Sequence, residues 1–79
     1  MKNVLVIGST GQIGSELTMK IRREVPRSTV VAGYIPGAEP KGELLESGPA
    51  EVADVRDAAA LAAIVSKYNI DMREVYADR

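Results

Sequence analysis

The sequence predicts an α/β domain built on a small parallel sheet. A continuous apolar run at residues 4–7 (VLVI) ends at a glycine, which is typical of a strand buried on both faces. A second β-branched run lies at residues 29–32, and a weaker run lies at residues 51–55. One helical pattern precedes the second run, and another follows the third. This order predicts a three-stranded parallel sheet in the order 3-2-1 with flanking helices, which is half of a doubly wound fold.

The first helix is predicted from apolar residues at steps of four. Ile13, Leu17, Ile21 and Val25 fall on one stripe of a helix that follows the first strand, and Pro26 is expected to end it. The basic residues near its end, Lys20, Arg22 and Arg23, are expected to form a solvated face.

The second main helix has signals at both ends. Asp57 is a candidate N-cap, Asn69 a candidate C-terminal cap, and the helix is expected to run to Lys67. Its apolar positions have helical spacing: Leu61, Ile64, Val65 and Tyr68. The connection at residues 34–49 is rich in proline and glycine and predicts a loop, with one helical turn at residues 42–46.

Composition limits the classes of function. A chain of 79 residues with 46% hydrophobic and 27% charged residues is expected to fold as one small domain. A net charge of −1 provides no general attraction for nucleic acid, and no apolar segment approaches the ~20 residues of a membrane span. We therefore expect a soluble, cytoplasmic protein with neither a nucleic acid nor a membrane as its partner.

The absence of cysteine and histidine narrows the available chemistry further. Disulfides, thiolate catalysis and thiolate or imidazole metal sites are excluded, which leaves carboxylates, tyrosine and lysine for proton transfer. Asp54 and Asp57 are too few oxygen ligands for a hard-metal site, so no metal site is expected.

The stretch VIGSTGQIGSEL places glycines at positions 8, 11 and 14 between the first strand and the first helix. Gly8 can adopt a backbone angle that larger residues resist, and Gly11 leaves no Cβ between the loop and a phosphate. Gly14 lets the helix lie close on the first strand. This strand, glycine loop and helix predict a binding site for the pyrophosphate of a dinucleotide. The alternative is a tight turn in an α/β domain that binds no ligand.

The expected hydrogen-bond donors of this site lie at the start of the first helix. They are the backbone N–H groups of about Gln12 and Ile13, where the helix dipole favours negative charge. The hydroxyl groups of Ser9 and Thr10 are further candidates.

The segments VLVIGSTGQIGSEL and LLESGPAEVADVRDAAALAAIVSKYNID resemble the extended short-chain dehydrogenase/reductases, the NAD-dependent epimerase/dehydratase family, and most of all its L-threonine 3-dehydrogenase branch. The resemblance covers residues 2–71. It implies a Rossmann fold with NAD as cofactor, and it implies that the pyrophosphate is held by Gly8, Gly11, Gln12, Ile13 and Gly14. It also implies that Asp54 and Val55 face the adenine. For Asp54 the alternative is a plain carboxylate at a strand end, near the N-cap Asp57.

The sequence departs from the family where the cofactor's ribose is recognised. An NAD site normally has an acidic residue at the end of the second strand, and Tyr34 stands there instead. The nearest acid is Glu39, several residues into the loop, and Lys41 is a remote candidate for a basic substitute. We therefore expect NAD as the cofactor, with NADP not excluded, and Tyr34 either beside the adenine pocket or in the loop alone.

The second departure concerns catalysis. The family's catalytic Tyr-x-x-x-Lys pair is absent, so no catalytic residue is assigned. Residues 72–79 are highly charged and are expected to form a divergent polar tail rather than a buried fourth strand, which makes residues 1–79 a single truncated NAD(P)-binding domain. The first strand would then be an exposed sheet edge, and we expect a homo-oligomer to form through it.

Three hypotheses for function follow. The first is the N-terminal, dinucleotide-binding segment of an NAD-dependent oxidoreductase or epimerase, without turnover of its own. The others are a stand-alone nucleotide-binding or interaction module, and a fragment that retains no ligand.

Overall fold

The computed structural model describes residues 3–25 and 27–75. The elements within them are β1 (Asn3–Ile7), α1 (Gln12–Glu24), β2 (Thr29–Tyr34), α2 (Gly42–Glu46), β3 (Ala50–Val52), α3 (Ala58–Tyr68) and β4 (Met72–Val75). The strands form one parallel sheet in the order β3-β2-β1-β4. No helix among these elements has the length and apolar character needed to cross a bilayer.

The strands β1 and β2 are buried on both faces, and helices cover them on either side. The side chains of one face pack with α1: Val4, Val6 and Val30, with Leu17 and Ile21. The side chains of the other face pack with α3 and its flanks: Leu5, Ile7, Val31 and Ala53, with Leu61, Ile64, Tyr68 and Ile70. The predicted α/β class, the parallel sheet and the order 3-2-1 of the first three strands are confirmed.

The prediction of a polar tail with no fourth strand is wrong at residues 72–75. Met72–Val75 pairs in parallel with β1, with Met72 opposite Val4 and Val75 opposite Ile7. Pairing uses backbone groups, so charged residues disfavour burial of a strand without preventing its pairing at a sheet edge. Residues 76–79 of the predicted tail lie outside the described residues.

Hydrogen bonds join the residue before β4 to the first residue of β1. Asp71 N donates to the Asn3 carbonyl at 2.8 Å, and Asn3 N donates to the Asp71 carboxylate at 3.0 Å. With β2 on one side and β4 on the other, β1 is an interior strand. The prediction that strand one is an exposed edge is therefore wrong; the predicted homo-oligomer loses this argument and stays a prediction.

Several predicted element ends shift. β2 continues through Gly33 to Tyr34, and β3 covers only residues 50–52 because the chain turns after it, with Asp57 N donating to the Asp54 carbonyl at 2.9 Å. The caps of α3 are confirmed: the Asp57 carboxylate accepts from Ala60 N at 3.1 Å, and Asn69 has a left-handed φ of 54°. The predicted turn of helix at residues 42–46 is α2, whereas the predicted stop of α1 at Pro26 lies outside the described residues.

The buried stripe of α1 differs from the predicted one at its beginning. Ile13 is 58% exposed, because the first turn of α1 lies beyond the end of the sheet, next to the glycine loop. The fully buried positions are Gly14 and Thr18, flanked by Leu17 and Ile21. The Thr18 hydroxyl donates to the Gly14 carbonyl at 2.7 Å, which satisfies its buried oxygen.

The prediction of a solvated basic face is wrong for Arg22. Its guanidinium donates two hydrogen bonds to the Val30 carbonyl at 2.7 and 3.2 Å, and others to the carbonyls of Leu44 (2.8 Å) and Pro49 (2.9 Å) and to Ser47 Oγ (2.9 Å). Burial lowers its pKa by desolvation. Arg22 thus joins α1 to β2, to α2 and to the segment that leads into β3.

We expect Arg22→Met to lower the free energy of unfolding by roughly 1–3 kcal/mol, because it leaves three backbone carbonyls without this charged donor. Urea denaturation followed by circular dichroism measures the loss. Arg23→Met, at the exposed neighbouring position, is the matched control and should change stability by less than about 0.5 kcal/mol. Equal effects of the two substitutions would contradict this role of Arg22.

Candidate functional site

The glycine loop lies at the carboxyl end of β1, between the strand and α1. Gly8 has a φ of 83°, in the left-handed region that side chains disfavour, and Gly11 N donates to its carbonyl at 3.2 Å to close the turn. Gly11 itself is the N-cap of α1 with extended backbone angles, which any residue can adopt. A requirement for glycine at position 11 must therefore come from the space around it.

Gly14 holds the helix against this loop. A Cβ at position 14 would lie 2.2 Å from the Gly8 carbonyl oxygen and 3.0 Å from the Ser9 Cα. Both neighbours are backbone atoms, which cannot yield as a flexible side chain would. The close packing expected at Gly14 is therefore directed at the glycine loop rather than at the strand.

The loop is anchored to β2 through a single carbonyl group. The Gly33 oxygen accepts hydrogen bonds from Gly8 N (3.1 Å), Ser9 N (3.0 Å) and Ser9 Oγ (2.9 Å). The Ser9 side chain is 0% exposed and faces β2. The Ser9 hydroxyl thus donates to this carbonyl, and its predicted contact with a ligand stays a prediction.

The beginning of α1 can attract an anion. Its first helical hydrogen bond runs from Ser15 N to the Gly11 carbonyl at 2.9 Å, so the N–H groups of Ile13 and Gly14 have no partner within the helix. The first turn carries no acidic side chain that would oppose negative charge. Gln12 is exposed in the same turn.

A cavity of about 460 Å³ adjoins the loop on the side of the β2–α2 connection. Its lining includes Thr10, Ser15, Glu39, Lys41 and Leu44, together with Gly37, Ala38 and Pro40. The structure thus brings Thr10 of the glycine loop together with Glu39 and Lys41, which sequence analysis placed at a distance from the site. Ser15 was missed, because its hydroxyl lies outside the glycine pattern that drew attention to the loop.

Three other predicted site residues lie at the carboxyl ends of β2 and β3, outside the lining of that cavity. Tyr34 is the last residue of β2, half-buried, and its carbonyl accepts from Ala53 N at 2.7 Å. Asp54 and Val55 follow β3, and the Val55 side chain is 55% exposed. All three lie at the carboxyl end of the parallel sheet, which is also where the glycine loop lies.

The Asp54 carboxylate is bonded within its own turn. It accepts from Arg56 Nη2 at 2.7 Å, from Arg56 Nε at 3.0 Å and from Arg56 N at 2.9 Å. The side-chain hydrogen bonds from Arg56, followed by the backbone bond, lower the pKa of Asp54 to about 2. In this geometry Asp54 is a charged carboxylate at a strand end whose partner is Arg56.

Comparison with solved structures relates this site to dehydrogenases. An L-threonine dehydrogenase from Clostridium difficile is 38% identical and superimposes with a TM-score of 0.80 over 95% of this chain, which corresponds to 23% of that protein. The predicted resemblance is confirmed. A dTDP-glucose 4,6-dehydratase from Bacillus anthracis, solved in complex with NAD, has a TM-score of 0.84 at 13% identity and shows that the fold is shared.

Sequence comparison gives the same relationship. An uncharacterised epimerase/dehydratase of Staphylococcus saprophyticus is 37% identical over 71 residues, which is 90% of this chain and 22% of the relative. The chain thus spans about a fifth of the length of the curated relatives that it matches. No family model matches the chain.

We expect Gly14→Ala to lower the free energy of unfolding by about 1–3 kcal/mol, because the added methyl group would overlap the Gly8 carbonyl and displace α1 from the loop. Thermal and urea unfolding measure the change. Glu16→Ala, at an exposed position two residues further along the same helix, is the control and should leave stability nearly unchanged. A stable Gly14→Ala variant would show that α1 can shift at no cost.

A carboxyl titration by NMR should give Asp54 a midpoint near 2, and Arg56→Gln should return it toward the ordinary value of 3.8. Because the folded-state pKa is depressed, the stabilisation from this pair is present above pH 3.8 and is lost as the pH falls toward 2. The pair is exposed, so its effect on unfolding should be small and should weaken with salt. An Asp54 midpoint that Arg56→Gln leaves unmoved would contradict the bonding described.

Proposed function

We propose that this chain holds the adenosine and diphosphate part of NAD, as the cofactor-binding segment of an oxidoreductase or epimerase similar to L-threonine 3-dehydrogenase. The observation that carries the proposal is the glycine loop at the carboxyl end of β1, closed at Gly8 and followed by a helix whose N-terminus lacks acidic side chains. The NAD complex of the dTDP-glucose dehydratase, which shares the fold, supports the choice of cofactor.

The diphosphate fits the start of α1. The N–H groups of Gln12, Ile13 and Gly14 would donate to it, with the helix dipole adding a favourable field. Gly11 would allow the phosphate oxygens close to the backbone, since no side chain extends from that position. Thr10, half-buried at the cavity, would add a hydroxyl donor, whereas Ser9 serves the loop itself.

The adenine fits the apolar surface beyond the strand ends. Ile13 in the first turn of α1 is 58% exposed, and Ile35 and Val55, which follow β2 and β3, are 50% and 55% exposed. A flat aromatic base covering such side chains would bury apolar area that is otherwise open to water. Asp54 and Tyr34 would border this surface, with Asp54 able to reach the base only if its bond to Arg56 opens.

Bound NAD supplies a hydride acceptor, and the part proposed for this chain is to bind and orient its adenosine half. Within this sequence, Ala38 and Met72 stand four residues after Tyr34 and Tyr68, where a Tyr-x-x-x-Lys pair would need lysine. We therefore propose that the proton-transferring residues of a complete enzyme come from a segment other than residues 1–79.

Calorimetric titration of the chain with NAD, NADP and AMP tests the proposal, with Gly11→Leu as the loop variant. Saturable NAD binding is expected, and the leucine side chain should weaken it by at least roughly tenfold by occupying the space of the phosphate. Ala62→Leu adds the same side chain at an exposed position of α3 and should bind NAD as the unaltered chain does. Circular dichroism establishes that both variants are folded.

The other outcomes separate the remaining hypotheses. Binding of AMP without NAD would favour a stand-alone mononucleotide module. Failure of all three nucleotides to bind would overturn the proposal and leave the glycine loop as a structural feature of the fold.

A further inference from the structure

We propose that Glu39 is the acidic residue that recognises the cofactor's ribose and determines a preference for NAD over its 2′-phosphorylated form. This inference rests on the proposed dinucleotide function and adds to it a specificity-determining residue. Glu39 would do from the β2–α2 connection what an acid at the end of β2 does in other NAD sites, the position that Tyr34 occupies here.

Glu39 lies close to the glycine loop. The cavity next to the loop is lined by residues of both segments, with Thr10 and Ser15 on one side and residues 37–41 on the other. A diphosphate at the start of α1 would place the attached ribose close to this connection. Among the described residues that line the cavity, Glu39 alone carries a carboxylate, a group that can accept hydrogen bonds from both ribose hydroxyls.

The β2–α2 connection also holds this carboxylate in place. Gly37 N donates to Glu39 Oε2 at 3.0 Å, and Ala38 N donates to the Ile35 carbonyl at 3.0 Å to close the turn. The φ of 94° at Gly37 permits this reversal of the chain. The hydrogen bond from Gly37, then that from the backbone of Glu39, lower the pKa of the Glu39 carboxyl, with a smaller contribution from the charge of Lys41. The group is therefore an anion at neutral pH, with acceptor capacity beyond the bond to Gly37.

Lys41 is the competing determinant, since an ammonium group in the same cavity would favour a 2′-phosphate. Its side chain is exposed at the N-cap of α2, and no described residue forms a hydrogen bond or ion pair with its ammonium group. The carboxylate that is held by the backbone is better preorganised than this long, flexible side chain. We therefore assign the preference for NAD over NADP to Glu39, and the charge of Lys41 would make that preference smaller.

The test compares ADP-ribose with 2′-phospho-ADP-ribose, because both carry the diphosphate and differ only at the ribose. Dissociation constants are measured for the full chain and for Glu39→Gln, which keeps an acceptor for Gly37 N but removes the charge. The unaltered chain should bind ADP-ribose more tightly than 2′-phospho-ADP-ribose. Glu39→Gln should reduce the ratio of the two dissociation constants by roughly tenfold, because it weakens the binding of ADP-ribose and removes the repulsion of the 2′-phosphate. Glu43→Gln, an exposed carboxylate on α2 outside the cavity lining, is the control and should keep the preference.

The remaining outcomes distinguish this inference from the proposed function. If both ligands bind and Glu39→Gln leaves the ratio of their dissociation constants unchanged, the inference fails while the dinucleotide function stands. A preference for the 2′-phosphate that Lys41→Gln abolishes would also overturn it and would assign selectivity to Lys41. If neither ligand binds the unaltered chain, the proposed function fails and this inference fails with it.

Discussion

The geometry of the candidate site depends on the carbonyl group of Gly33. This oxygen accepts three hydrogen bonds from Gly8 and Ser9, and so it holds the glycine loop at the point where β1 ends. Its position follows from the register of the sheet, in which Gly33 lies opposite Ile7. A Cβ at position 33 would lie 2.9 Å from the Ala53 Cβ and 3.1 Å from the Val6 carbonyl oxygen. Only glycine therefore fits at this position of β2 without a shift of its neighbours. Correct pairing of β1 with β2 therefore also shapes the loop.

The helix that follows the loop is fixed at both ends by different contacts. At its beginning, Gly14 lies against the Gly8 carbonyl, which leaves no room for a side chain. Near its other end, Arg22 bonds to the carbonyls of Val30, Leu44 and Pro49. Leu44 also lines the cavity, so Arg22 fixes one wall of a site that it does not itself touch. A half-buried arginine suits this position because its planar fork can donate to several carbonyls at once.

What the sequence predicts well is what neighbouring residues determine. The strand at β1, the turn at Gly8 and the caps Asp57 and Asn69 each depend on local chemistry, and each lies where the pattern placed it. The features that were missed depend on contacts between distant segments. The strand β4 is fastened by Asp71 to Asn3, at the opposite end of the sequence, and neither residue has a local pattern that reveals this pairing.

The same distinction applies within the candidate site. The hydroxyl of Ser9 seemed available in a phosphate-binding pattern, but its partner is Gly33, which lies 24 residues along the chain. Glu39 seemed too far from the end of β2, yet the turn at Gly37 returns it to the cavity beside Thr10. Sequence spacing gives the distance between residues along the chain. A loop that reverses direction makes their distance in space much shorter.

Affinity and selectivity have separate structural origins in the proposed site. The glycine loop and the start of α1 would bind the diphosphate, a group that NAD and NADP share, and their geometry depends on Gly33 and Gly14. The β2–α2 connection would contact the ribose, where the two cofactors differ. The shape of this connection depends on Gly37 and on the hydrogen bonds from Arg22 to Leu44 and Ser47. Because Gly37 and Glu39 take no part in the contacts of Gly33 and Gly14, changes at these two residues would alter cofactor preference while leaving the diphosphate site intact. Tyr34 at the strand end is compatible with the proposed site, since the β2–α2 connection brings the Glu39 carboxylate to the cavity beside the glycine loop.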